Sequence, residues 1–301
     1  MAVITNALLA SLRTGFMMQF QQAQTEAPSD YKKIATIVPS TTASNTYGWM
    51  SKAPNFREWV GDRVIKDISE FSYQISNKDW ESTVGVDRND IEDDNLGVYA
   101  PLFQEMGIQT ARHPDKLAFP LLTDGENQLC YDGQNFFDTD HPVYANHDGT
   151  GAVSTVSNFE DGTEIPFYLL DTTRAIKPII FQKRKAPVFT AMTDPKDEDV
   201  FMRKQFRFGV DSRSNVGYGL WQFAYKSKAG LTADNFNAAF QAMQELKNDG
   251  DTPMGITPNL LVVPPAYRAA ALEIVKAERN ANGATNINRN AVEVLATPWL
   301  V

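Results

Sequence analysis

Two carboxylates and a histidine stand almost side by side in Phe136-Phe137-Asp138-Thr139-Asp140-His141-Pro142-Val143, and His147-Asp148-Gly149 follows a few residues later. Carboxylates and imidazoles at this spacing are the donor types of a hard-metal or zinc site, in which an acid orients the ring that binds. Asp138, Asp140, His141 and His147 are therefore the residues from which a metal-dependent hydrolase would be built. Against this, Asp140 and His141 are chain neighbours, which point apart in an extended segment. No second His or carboxylate motif completes the set, and the only other histidine is His113. Asp and His ahead of Pro and Gly are also what a hydrogen-bonded turn uses. A structural turn is the expected outcome, with no catalytic, cofactor-binding or metal-ligating residue assigned.

Other chemistry is sparse. Cys130 is the single cysteine and has no basic or imidazole neighbour in sequence, so a buried, inert thiol is expected. One cysteine also excludes an internal disulfide and a cysteine-cluster zinc site, and it suits a reducing compartment. Asp87 to Asn95 (DRNDIEDDN) sets five carboxylates against one Arg. A calcium loop needs oxygen ligands at fixed alternate positions and a Gly at its turn, and Ile91 falls where a ligand is required, so the run reads as the negative start of a solvated helix. The chain has no G-x-x-x-x-G-K-[ST] loop, no G-x-S-x-G elbow, no H-E-x-x-H helix and no G-x-G-x-x-G after a strand.

The 301 residues are 43% hydrophobic and 22% charged, with 28 Lys and Arg against 37 Asp and Glu for a net charge of -9. That length supports two ordinary domains, each with its own core. The 18 Phe, 10 Tyr and 5 Trp exclude disorder over the whole chain, because they supply far more buriable area than a solvated coil carries. No run approaches the length of an apolar membrane span. Residues 1–12 are apolar, but no basic region precedes them and Arg13 follows before any A-x-A pattern, so export is not expected. The acidic balance opposes a tight non-specific grip on DNA, which rests on clustered Lys and Arg. Such a protein could still enclose DNA without gripping it.

The elements follow from periodicity. Ile4, Leu8, Leu12, Phe16 and Phe20 recur every fourth residue, an apolar stripe drifting around a helix with Gly15 as its weak point. The polar QQAQTEAPS stretch ending at Ser29 resembles a tether. Two destinations stay open for this segment, packing on its own domain or docking as an arm on a neighbour. Phe71, Tyr73 and Ile75 alternate with polar residues, Asn77-Lys78-Asp79 offers turn chemistry and Trp80 to Val86 resumes an extended run, which predicts a long hairpin or strand pair. Leu96 to Leu122 predicts a long helix, bent at Gly107 or stopped before Pro114.

Residues 123–230 are rich in turns and strand signals. Ile176 to Phe181 is a strand candidate whose Pro178 suits an edge or bulge. Phe206, Phe208 and Val210 alternate as a half-buried strand does, and the aromatic run Gly217 to Tyr225 is expected in a core. Thr232 caps a predicted helix bearing Phe236, Ala239, Phe240, Met243 and Leu246. Leu260 to Val263 predicts a strand buried on both faces, Pro264-Pro265 starts a second helix, and Val292 to Ala296 a second strand. A compact α/β unit therefore ends the chain.

Several of these segments together resemble the major head subunits of Mu-like tailed phages and prophages. The resemblance is carried by Phe136 to Pro142, by Ile176-Lys177-Pro178-Ile179-Ile180-Phe181-Gln182 and by Asp194 to Phe201 (DPKDEDVF). It continues through Phe208-Gly209-Val210-Asp211-Ser212-Arg213, Gly217-Tyr218-Gly219-Leu220-Trp221-Gln222 and Leu260-Leu261-Val262-Val263-Pro264-Pro265, and ends in Thr297-Pro298-Trp299-Leu300. These matches run in order from about residue 60 to the end, and the first fifty residues resemble nothing in particular.

The resemblance implies an α+β chain of the Hong Kong 97-type capsid fold. It would have an N-terminal arm (1–45), an E-loop β-hairpin (46–95), a spine helix with a β-rich peripheral domain (96–230) and an α/β axial domain (231–301). It implies a structural protein without enzymatic activity or cofactor. Copies would assemble as hexamers and pentamers into an icosahedral virion shell around double-stranded DNA, without sequence-specific binding. A scaffolding protein, a portal and decoration proteins would be its partners, and the host cytoplasm its place of assembly. An encapsulin-like nanocompartment is the same fold with a different cargo, and the metal-dependent hydrolase is the alternative from another class.

Overall fold

A computed structural model describes residues 4–48, 73–93, 96–146, 149–194, 196–280 and 282–300. The first part of the chain forms α1 (Asn6–Glu26), α2 (Tyr31–Ile34), β1 (Ala35–Pro39), β2 (Ser44–Thr46), β3 (Gln74–Ser76), β4 (Lys78–Asp87), α3 (Arg88–Glu92) and α4 (Ala100–Asp124). The middle adds β5 (His141–Tyr144), β6 (Val153–Val156), β7 (Phe159–Glu160), β8 (Phe167–Leu170), β9 (Ile179–Met192), α5 (Glu198–Arg203), β10 (Gln205–Tyr218) and β11 (Ala224–Ser227). The end contributes α6 (Ala233–Gln244), β12 (Lys247–Asn248), β13 (Thr252–Pro253), β14 (Leu260–Val263), α7 (Arg268–Lys276) and β15 (Glu293–Ala296).

The stripe on α1 finds its partner within the same chain. Thr5 starts the helix by accepting the Leu8 amide at 3.2 Å, and Leu9, Phe16 and Phe20 are buried. The Phe16 ring stacks on Phe103 of α4 with centroids 4.2 Å apart and meets Phe208 of β10 edge-on at 5.2 Å. Gly107 of α4 is what permits this approach: a Cβ there would lie 2.4 Å from the Phe20 carbonyl oxygen. The expected tether is also tied down, because the Asp115 carboxylate on α4 accepts the amides of Asp30 at 2.9 Å and Tyr31 at 2.6 Å. Of the two destinations left open for this segment, α1 takes the first within the chain: the helix lies on its own body, because its apolar stripe matches the aromatic face that α4 and the sheet offer.

The long helix α4 runs without interruption past Gly107 and through Pro114 and Pro120. Each proline forfeits a helix hydrogen bond. Burial offsets that loss, since Phe103 and Met106 pack with α1 and the long strands, while Ala118, Phe119 and Leu122 enter the main core. At 1.5 Å per residue the helix is about 37 Å long, enough to join the two cores.

The first sheet has the order β1-β9-β10-β4. β1 runs parallel to β9, and β9, β10 and β4 are antiparallel in turn. β9 begins one residue after Pro178, with Ile179 to Gln182 buried, and then emerges as an exposed ribbon. The register of β9 against β10 shifts between Asp211 and Ser214, opposite Pro187, which has no N–H to donate. On β10, Phe206, Phe208 and Val210 alternate inward as their spacing predicts.

The Asn77 region differs from expectation. β3 and β4 do not pair with each other across a turn; β3 pairs with β2 and β4 with β10. Asn77 stabilises the step between them, donating to Ser40 Oγ and the Thr42 carbonyl, each at 2.9 Å, and accepting from Gln182 at 2.8 Å. Of the segment 46–95 expected to form the E-loop, residues 49–72 lie outside the described residues, and the paired β2 and β3 flank them. Residues 78–87 belong to the long sheet instead.

The second sheet has the order β15-β14-β8-β11-β7. β14 and β15 are parallel, as the strand, helix, strand reading of the last seventy residues requires, with α7 packed on them and α6 against β11. Three of its five strands come from before residue 231, so the axial unit is not built from residues 231–301 alone. β8 explains why: all four of its residues are buried, and it needs a hydrogen-bonded neighbour on each side, which β11 and β14 supply.

The helix crossing yields a paired prediction. Gly107→Ala forces a methyl into backbone and should cost about 1–3 kcal/mol. Gly15→Ala in α1, where nothing lies within 4 Å of the new Cβ, should be neutral or stabilising by up to about 1 kcal/mol. Urea unfolding of the two variants checks this, and equal midpoints would contradict the crossing.

Candidate functional site

His141, at the start of β5, is wholly buried and is the best-connected of the candidate residues. Its Nδ1 lies 2.8 Å from Asp132 Oδ2 and its Nε2 lies 3.2 Å from Asn158 Oδ1. The ring stacks almost flat on Trp221, with centroids 3.9 Å apart and planes 8° from parallel. The Asn158 amide is fixed in orientation, because its Nδ2 donates to the Phe136 carbonyl at 2.8 Å and the Trp221 carbonyl at 3.2 Å. Its oxygen therefore faces the imidazole. Both ring nitrogens thus lie within hydrogen-bond distance of side-chain oxygens, which fixes the orientation of the ring.

Asp132 is brought to the ring by a turn closed at Gly133, whose φ of 86° is costly for any residue with a Cβ. Its other oxygen accepts the Cys130 thiol at 2.9 Å and the Gln134 amide at 3.1 Å. Burial alone would push this carboxyl up, but the hydrogen bonds from His141 and Cys130 outweigh it and hold it below the usual carboxylate range. Burial pushes the Cys130 thiol up, with the Asp132 charge adding to the effect. A thiol held protonated in this way is not a nucleophile, which agrees with the inert Cys130 expected.

The three residues of the hydrolase reading that the structure describes, Asp138, Asp140 and His141, do not converge. Asp138 serves its own turn, accepting the Thr139 amide at 2.7 Å and the Asn135 amide at 3.3 Å. Asp140 is exposed, and the neighbouring Asp138 carboxyl raises its pKa. His147 lies outside the described residues. The group that does come together, Cys130, Asp132 and His141, places its potential ligand atoms within 4.8 Å of one another, yet each is engaged in the hydrogen bonds just described. Asp132 was not among the residues singled out in the sequence; the Asp-Gly pair signals a turn, and nothing in its spacing signals the histidine.

A second buried charge joins α4 to the second sheet. Lys226 on β11, with a side chain only 3% exposed, places Nζ 2.5 Å from Glu126 and donates to the Thr123 carbonyl at 2.9 Å. Burial holds the lysine below its ordinary range despite the carboxylate beside it. On the outer surface, Phe201 and Ile287 are each more than 80% exposed and Met202 is 69% exposed.

The family described as Mu-like prophage major head subunit gpT matches residues 9–300 of this chain. The major capsid protein of Escherichia phage Mu is 47% identical over 289 residues, which cover 95% of each chain. Among solved structures, a chain of the procapsid of bacteriophage JBD30 superposes with a TM-score of 0.87 at 55% identity, covering 98% of this chain and 100% of that one. A chain of the bacteriophage JBD30 capsid gives a TM-score of 0.77 at 44% identity, with both chains covered completely.

The histidine node predicts a stability effect with a defined pH dependence. Asp132→Ala leaves the buried His141 Nδ1 without its partner and should destabilise the chain by about 1–3 kcal/mol. Because the folded Asp132 carboxyl lies below its unfolded value, its contribution is present above the unfolded pKa, about 3.9, and is lost as pH falls through the lower folded value. Urea unfolding at pH 7 and at pH 3 should show the gap between wild type and Asp132→Ala narrowing in acid; a gap that stays constant would contradict the pairing.

Proposed function

The chain belongs to the Mu-like prophage major head subunit family, and from that premise we propose how its parts divide the work of building a phage head. It is a major capsid protein with the Hong Kong 97-type α+β fold. The observation that carries the functional reading is the match across nearly the whole chain to a procapsid subunit.

In this proposal α4 is the spine, the β1-β9-β10-β4 sheet is the peripheral domain, and the β15-β14-β8-β11-β7 sheet with α6 and α7 is the axial domain. The segment between β2 and β3 is the E-loop. Copies assemble as hexamers and pentamers into a closed icosahedral shell around double-stranded DNA, in the cytoplasm of the bacterial host. A scaffolding protein, a portal and decoration proteins are the partners of such a shell. The exposed Phe201, Met202 and Ile287 favour the reading, since large apolar side chains held in water gain stability when a neighbour covers them. The net charge of -9 also favours it, because an acidic container does not bind phosphates tightly and leaves duplex DNA free to move. The subunit carries no catalytic residue in this account; its function is to share surface with copies of itself.

Protein produced with its head-assembly partners should sediment as hexamers, pentamers or closed particles and show shells in electron micrographs. A chain that remains monomeric under every assembly condition would contradict the proposal.

A further inference from the structure

Between the end of α1, the middle of α4 and the long sheet lies a cleft of about 570 Å³. Its lining is basic, in a chain that is acidic as a whole: Lys32, Arg112, Lys116, Lys183 and Lys185 face it, against the single carboxylate Glu81. Lys185 is paired with Asp211, and Glu81 accepts the Thr83 hydroxyl. The other four cations have no carboxylate partner among the described residues. The wall also holds a polar atom in need of a partner, since the buried Nε2 of His113 makes no hydrogen bond and its ring meets Trp80 edge-on at 4.5 Å. A cleft of this volume admits side chains; a nucleic acid duplex does not fit inside it.

The complementary surface stands at the other end of the same ribbon. The connection from β9 to β10 opens with DPKDEDVF, four carboxylates against one lysine, closes with Arg203 and Lys204, and on α5 presents Phe201 and Met202 to solvent. Lys183, on the cleft, and Met192, at the last position of β9, are nine residues apart, about 30 Å along a strand. The ladder between β9 and β10 keeps the ribbon extended, so the tip cannot reach the cleft of its own chain. The two surfaces can meet only between copies, as a head-to-tail contact.

We propose that the acidic and apolar tip formed by Asp197, Glu198, Phe201 and Met202 of one copy seats in the basic cleft of a neighbouring copy during head assembly. The carboxylates neutralise Lys116 and Lys183 at the mouth, and the apolar side chains cover Trp80. This inference rests on the head-subunit reading and adds to it a specific pair of surfaces.

Charge reversal in the full-length chain tests it. Lys116→Glu with Lys183→Glu should leave the far-ultraviolet circular dichroism unchanged and lower particle yield at least tenfold, and adding Asp197→Lys with Glu198→Lys should restore it. A second variant, Lys183→Cys with Phe201→Cys, should give a ladder of disulfide-linked chains in mild oxidant, and the buried Cys130 does not compete. Wild-type yield from the cleft variant, or absence of both rescue and ladder, would overturn the contact and leave the cleft to another acidic protein. Failure of the wild-type chain to form particles under the same conditions would count instead against the head-subunit reading on which the contact rests.

Discussion

The close crossing of α1 over α4 at Gly107 is the contact on which the rest of the subunit depends. Without a Cβ at that position the two helix backbones approach until Phe16 stacks on Phe103, and both rings then meet Phe208 on the long sheet. The same helix α4 carries Phe119 and Leu122 into the main core, where the second sheet packs. Lys226 and Glu126 reinforce that end through a buried pair just beyond the helix. One continuous rod thus shares its burial between two cores.

That construction leaves much of the surface for other copies. The long β9–β10 ribbon packs one face on α1 and α4, leaves exposed and half-buried positions along the outer part of β9, and α5 at its end holds Phe201 in water. A monomeric enzyme gains nothing from such features. A head subunit gains interface area from them, with charge distributed so that one end of the ribbon is acidic and a cleft near the other is basic. The buried polar groups serve the same end: His141, Asp132 and Asn158 satisfy one another within the fold and fix the turns around Trp221.

Much of this was legible in the sequence where the signal is local. The Thr232 cap, the continuous apolar run Leu260 to Val263, the alternation of Phe206, Phe208 and Val210, and the core placement of Trp221 follow from spacing and side-chain type, and each is found in the structure. What could not be read depends on contacts between distant segments. The stripe of α1 fits its own body or a neighbour equally well until α4 and β10 supply Phe103 and Phe208. Asn77 has the chemistry of a turn, and its use as a bracket to Ser40 and Gln182 depends on strands far away in the chain. The second sheet joins β8 and β11 to the strands of the last seventy residues because β8 is buried on both faces, a fact about partners and not about its own period. At the candidate site the sequence pointed to His141 but paired it with Asp138 and Asp140, since only the Gly133 turn brings Asp132 to the ring.

Native-state hydrogen exchange along α4 tests most directly the claim that one helix unites two cores into a single rigid building block. The account predicts that amides on both sides of Gly107, near Phe103 and near Phe119, exchange only through global unfolding and share one free energy. A separate, lower-energy opening of the half that bears Phe103, with the Phe119 half still protected, would contradict it.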